Sequence, residues 1–180
     1  MNASQTHFAP KFISLQGPVN ESVTARHSFG LVGDGEQVLF DVLPVRVVAA
    51  LEHGSCLVES AQGSLTTLRE DSSSGYPDAY LNVMSAVGGM LKDVGERLER
   101  AISCIQYRNE AQDAERYLMG CLDLMGKSFP LLYDRLMEVT DETGIAVSRQ
   151  SALWSCLYLM ETAEHVVQAS VKGLALGLTR

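Results

Sequence analysis

Glu161, Glu164 and His165 are the closest grouping of metal-ligand side chains in the chain. A carboxylate-bridged di-iron centre needs a Glu-x-x-His pair from each of two helices. Here two carboxylates stand three apart, the histidine directly follows the second, and no other segment carries a matching set. The grouping reads as a solvated helix face. His53 and His165 are the candidates for bis-histidine haem ligation. His53 shares its helical face with Arg46, Ser60 and Thr67, and His165 also borders a polar side, so both are expected to be exposed. Cys56, Cys104, Cys121 and Cys156 form no Cys-x-x-Cys pair, and each falls on or beside an apolar helical position. They are expected to be buried, reduced thiols. A structural zinc site would need closer ligand spacing or nearby histidines. There is no Gly-x-Ser-x-Gly elbow, Walker loop or dinucleotide fingerprint, and Gly33-Asp34-Gly35 is too short to cradle a phosphate. The chain is read as non-enzymatic, with no catalytic residue, metal or cofactor assigned.

Two further chemistries have partial support. The run His165-Val-Val-Gln-Ala-Ser170 is similar in shape to the exposed-histidine run of histidine phosphotransfer bundles. Gln168 stands where those domains carry the lysine that steadies a phosphoryl group, and Ala169 where they carry a glycine. The second is apolar ligand binding. Trp154, Met160, Tyr158 and Met84 are the candidate pocket lining, because methionine adapts to varied ligand shapes. Ordinary core packing is the competing reading of the same four residues.

The elements that must position these residues follow from periodicity. Leu81, Met84, Val87, Leu91, Val94, Leu98, Ala101/Ile102 and Ile105 recur at steps of mostly three and four, one apolar seam along a central helix. Gly88, Gly89 and Gly95 lie beside that seam. A helical glycine costs about 1 kcal/mol against alanine, so these are expected where another backbone approaches closely. Upstream, Phe29 and Leu31 alternate on one side of Gly33-Asp34-Gly35, and Val38, Phe40 and Val42 on the other, the pattern of a β-hairpin. Pro44 suits the first turn of a helix running to about Leu68. Arg69–Tyr76 reads as a polar turn, and Pro77 opens the central helix.

After Ile105 the apolar register breaks over residues 106–113. Asn109 is a candidate left-handed cap there, with one continuous helix as the alternative. A third helix is expected from Ala111 to about Val139, kinked or restarted by Pro130. A turn at Thr140–Val147 precedes Ser148, a plausible N-cap of a last helix from Arg149 to about Leu176. The apolar face of that last helix takes in Leu153, Leu157, Ala163, Val166, Val167 and Val171, broad enough to imply burial on more than one side. Residues 1–25 read as a flexible arm and 26–180 as a single helical domain. Within it, 26–43 form the hairpin, 44–106 the first helical pair and 110–178 the second.

The two pairs look alike. Ser55-Cys56-Leu57 falls against Gly120-Cys121-Leu122, and Leu81, Met84, Leu91 and Leu98 fall against Leu157, Met160, Val167 and Leu174 at one constant offset. Within this frame, Val38-Leu-Phe-Asp-Val42, Pro44 and Ala50-Leu-Glu-His-Gly-Ser-Cys-Leu57 resemble the start of a family of short uncharacterised bacterial helical proteins. In that family a strand leads through a proline into an Ala-Leu-Glu-x-Ala-Ser-x-Leu-Leu helix, and a second helix carries Tyr-Leu-x-x-Met. The latter stands here as Tyr80-Leu-Asn-Val-Met84, with a looser echo at Leu157-Tyr-Leu-Met160. The resemblance covers residues 37–98, and more weakly 115–176, and departs at Gly54 where the pattern has alanine. It implies a helical pair, present twice, and no chemistry.

Composition bounds the partners. An apolar share of 46% and a charged share of 20% are those of a folded domain, and 180 residues suffice for one core. A net charge of −8 disfavours phosphate backbones and anionic membranes, so neither nucleic acid nor membrane is expected as a partner. No basic-then-apolar leader and no apolar run near the ~18 residues of a bilayer span is visible, so the cytoplasm is the expected compartment. The fold class expected is mostly α: an antiparallel four-helix bundle of two αα-hairpins with an N-terminal β-hairpin. The function expected is an interaction or regulatory module, a homodimer. The alternatives are an apolar small-molecule-binding bundle and an adaptor or chaperone for another protein.

Overall fold

The computed structural model describes residues 19–33, 36–70, 76, 78–142 and 147–178. Among them, four helices form an antiparallel bundle: α1 (Val47–Glu70), α2 (Asp78–Ser103), α3 (Ala111–Glu142) and α4 (Val147–Ala175). Each packs against its neighbours in chain order, and α4 closes the ring on α1. The seams predicted from periodicity meet along the axis. Leu51, Val58 and Leu65 of α1 join Val87, Leu91 and Leu98 of α2, Leu118 and Met125 of α3, and Leu157 and Val167 of α4 in one dry core. A hairpin of β1 (His27–Gly33) and β2 (Glu36–Val42) precedes the bundle, pairing His27 with Val42, Phe29 with Phe40 and Gly33 with Glu36.

Local chemistry explains most boundaries. The α2–α3 junction is a turn, not one continuous helix. A π-helical turn at Cys104–Arg108 ends on Asn109, whose φ of 57° and ψ of 33° are left-handed. Its backbone N–H donates to the Cys104 carbonyl. Asn tolerates that region better than other side-chain-bearing residues. The hydroxyls of Ser60, Ser64, Thr66 and Thr67 on α1 each donate to the carbonyl four residues back, so this polar face satisfies itself.

Other boundaries differ from expectation. The helix α3 continues through Pro130 and is not restarted there. Ser148 falls inside α4, which begins at Val147, so it is not the N-cap. Pro77, expected to open α2, and Asp34 and Gly35 of the expected Gly33-Asp34-Gly35 turn lie outside the described residues. Residues 19–25, expected to belong to a flexible arm, are packed on the bundle instead. Val19, Ser22, Val23, Thr24 and Ala25 are all buried, and the remainder, 1–18, lies outside the described residues.

The positions matched between the two helical pairs are buried alike in part. Met84, Leu91 and Leu98 are buried, as are Met160, Val167 and Leu174. In the first helices of the pairs the matched cysteines diverge: Cys121 is buried and Cys56 exposed. Cys56 lies two residues from both Gly54 and Val58 of the α1 seam, on the opposite face of the helix, which corrects its expected burial.

Candidate functional site at the hairpin base

The C-terminal half of α4 is covered by the chain's own N-terminal segment. Ala25 N–H donates to the Ala169 carbonyl at 3.0 Å, and Val23 N–H to the Leu178 carbonyl at 2.9 Å. Val23 also bridges to Arg46 just before α1. Gly173 is what lets the segment lie so close, since a Cβ there would fall onto the Val23 carbonyl oxygen and against the Thr24 backbone. This second covering adds to the broad buried face of α4 at Ala169 and Gly173, while Val166 faces Gly54 of α1.

One step further along, the hairpin base carries His27 and Phe29 onto the same face. The Phe29 ring stacks on His165 with centroids 4.0 Å apart and planes 19° from parallel. His27 Nε2 lies 2.9 Å from His165 Nδ1, and Lys172 Nζ lies 3.1 Å from His27 Nδ1. The donor inventory assigns the tautomers. A lysine ammonium only donates, so His27 Nδ1 accepts and the His27 proton sits on Nε2. That proton is given to His165 Nδ1, and neutral His165 therefore carries its own proton on Nε2. Burial, with the Lys172 charge second, holds His27 below its ordinary value of 6.5. His165 is held down by burial, then by His27, against a hydrogen bond to Gln168 that favours its charged form. On the same helix, burial raises both Glu161 and Glu164. Their mutual repulsion adds to the first, and the Gln168 amide, 3.0 Å from Glu164, opposes the rise in the second. His165 is thus half-buried under the hairpin, which corrects its expected exposure; His53 is exposed as expected.

Beside this clamp the same end of the bundle carries an apolar rim. Thr24 N–H donates to the Val45 carbonyl at 2.8 Å, while its hydroxyl donates to the Leu43 carbonyl and accepts from Val45 N–H. Val45 and Leu178 therefore flank Val23–Thr24 from opposite sides, roughly 10 Å apart at two strand spacings. Leu43 is 60% exposed and Leu176 56%, with Val45 and Leu178 exposed beside them. Tyr107, 81% exposed, stands on the π-helical turn whose Asn109 Oδ1 accepts the Val19 N–H at 2.7 Å.

The four candidate pocket residues divide between the core and an aromatic row at its margin. Met84 and Met160 are core residues. Trp154 and Tyr158 lie half-buried on α4 in an aromatic row that Tyr133 and Phe129 of α3 continue, with centroid spacings of 6.0–6.2 Å. A separate groove of about 310 Å³ runs between α1 and α2, with Leu65 and Met84 among its lining and Arg69 and Lys92 bringing charge. Gly88 and Gly89 also line it, and a Cβ at either, or at Gly95, would meet nothing within 4 Å. Within the chain, then, these glycines are not points of close backbone approach.

The cysteines offer no reactive centre in the core. Cys121 is pushed up to about 12 and Cys156 to about 11, chiefly by burial, and their thiols lie near the Val94 and Ala61 carbonyls. Among the described residues, no group of three or more His, Cys, Asp or Glu side chains is arranged to hold a metal ion. No described helix is long and apolar enough to cross a membrane. No family model matches the chain, and neither the curated proteins nor the solved structures give a significant match.

Proposed function

We propose that this chain is a non-enzymatic interaction module that self-associates as a homodimer through the end of the bundle carrying the hairpin base. The observation that carries the reading is the exposure of Leu43, Val45, Leu176 and Leu178 on two chain segments whose backbones both bond to Val23–Thr24. Single exposed leucines are ordinary, whereas several exposed apolar residues on adjoining segments favour an interaction surface. The hairpin adds to it. Among the described residues it is a two-stranded sheet, and two strands alone are marginal in water and leave edges for another chain to pair with. A two-fold axis would bring the same patch of two copies together. The likeness to short bacterial helical proteins fits this reading as a duplicated helical pair, and the expected cytoplasmic setting belongs to it as well.

Native mass spectrometry with light scattering tests it. The expected result is a dimer at micromolar concentration. A Leu43→Glu, Leu176→Glu double variant should be monomeric with unchanged helical circular dichroism. A wild-type chain that stays monomeric at high micromolar concentration ends the proposal. The groove between α1 and α2 favours a second reading, a small-molecule-binding bundle, because its volume reaches the lower end of ligand pockets. A mass increment retained in native spray and lost on denaturation would select that reading instead.

A further inference from the structure

We propose that His27, His165 and Lys172 form a proton-operated latch that holds the hairpin base on α4 at neutral pH and releases it on mild acidification. The latch lies within one chain, so it stands whether or not the chain self-associates.

Each unprotonated ring nitrogen of the pair already accepts a hydrogen bond, so an added proton displaces one. Lys172 donates to His27 Nδ1, and His27 Nε2 faces His165 Nδ1. A proton on His27 must go to Nδ1, which evicts the lysine and sets two cations about 3 Å apart. A proton on His165 must go to Nδ1, which leaves two N–H donors facing each other in place of the hydrogen bond. The remaining charges nearby do not rescue it. On the hairpin side Arg26 and Asp41 are paired with each other at 2.9 Å, and Asp41 is engaged by Ser28 as well. On α4, Glu164 is engaged by Gln168, and Glu161 adjoins Glu164.

The direction follows from linkage. Both histidines are held below 6.5 in the docked state, so the released state binds more protons. Docking is therefore fully favoured above about pH 6.5 and is lost as pH falls from there through the docked-state values. Glu161 and Glu164 act with the opposite sign, since their raised values favour the docked state as they protonate. Their window starts from a lower ordinary value of 4.5.

The latch is read by NMR on the full chain at low micromolar concentration. Long-range proton–nitrogen spectra give the tautomer and titration of each ring, and amide exchange corrected for intrinsic rate gives the protection of the hairpin. Expected are Nε2–H tautomers for both rings, titration below 6.5, and a roughly tenfold loss of hairpin protection between about pH 7.5 and pH 5.5, with α2 unchanged. Lys172→Met should keep the fold, raise the His27 titration and shrink the response. Glu164→Gln should leave the histidine-linked loss in place. Hairpin protection that stays flat while both rings titrate would overturn the latch, and so would rings titrating at or above 6.5.

Discussion

The C-terminal half of α4 and the groove side of α2 both place glycine on a helix surface, and the two surfaces meet opposite fates. At Gly173 the chain's own backbone occupies the space a side chain would need. At Gly88 and Gly89 the space is empty. The same residue type thus marks a completed contact in one region and an open surface in the other. The covered face is also where the tightly fixed polar chemistry lies: the His27–His165–Lys172 chain, the Phe29 stack and the backbone bonds at Ala169 and Leu178. A helical glycine is a cost of propensity in both places, and only the first offsets it with contact inside this chain.

The largest expected effect breaks the covered side. Gly173→Ala puts a methyl group against the Val23 carbonyl, which cannot swing away as a side-chain end would. Overpacking of this kind costs about 1–3 kcal/mol, or roughly 2–4 °C in Tm per kcal/mol at this chain length. The loss should be local in origin. Amides of residues 22–29 should exchange faster while those of α2 hold. A variant with unchanged Tm and an unchanged N-terminal segment would show that the close approach at Gly173 is not what holds the segment down.

Asn109 carries the next effect, at the far anchor of the same segment. It supplies both the left-handed turn and the acceptor for Val19 N–H. Asn109→Ala loses the hydrogen bond, about 1 kcal/mol, and strains the left-handed backbone by about 1 more. Asn109→Gly loses the acceptor but relaxes the backbone. Chemical denaturation should therefore rank wild type above Asn109→Gly above Asn109→Ala. Equal losses in the two variants would show that the turn conformation contributes nothing and the side-chain acceptor everything.

What could be read beforehand divides along the same line. The bundle was legible because the 3.6-residue period records which face of each helix is buried, and Leu91, Leu118 and Val167 lie where that period puts them. The Asn109 turn was legible because the apolar register breaks around a residue suited to left-handed backbone. Periodicity does not record what covers a face. Gly88 and Gly173 look alike beside their seams, and only tertiary structure shows Val23 against one and open space against the other. The clamp was illegible for a related reason. His27 and His165 are 138 residues apart, and neither lies in a local pattern that names the other. The one available sign was the width of the α4 face, which called for a second covering without saying that residues 19–29 supply it. Cys56 shows residue type misleading where the period does not: two residues from both Gly54 and Val58, it falls on the outer face of α1 and is exposed.

The smallest expected effect sharpens the open side. With nothing within 4 Å of a Cβ at Gly88 or Gly89, alanine adds no clash and recovers helix propensity, about 0.5–1 kcal/mol at each. Gly88→Ala and Gly89→Ala together should raise Tm by a few degrees and leave the latch titration untouched. The dimer should also be unaffected, because the rim at Leu43 and Leu176 stands on other elements than the groove. If the double variant is more thermostable as a monomer yet associates more weakly, a second copy's backbone enters the groove between α1 and α2. The interface would then belong to the glycine face, and the apolar rim would lose its assigned role. If Tm falls instead, the groove closes in solution, and these glycines serve the same close approach that Gly173 serves on α4.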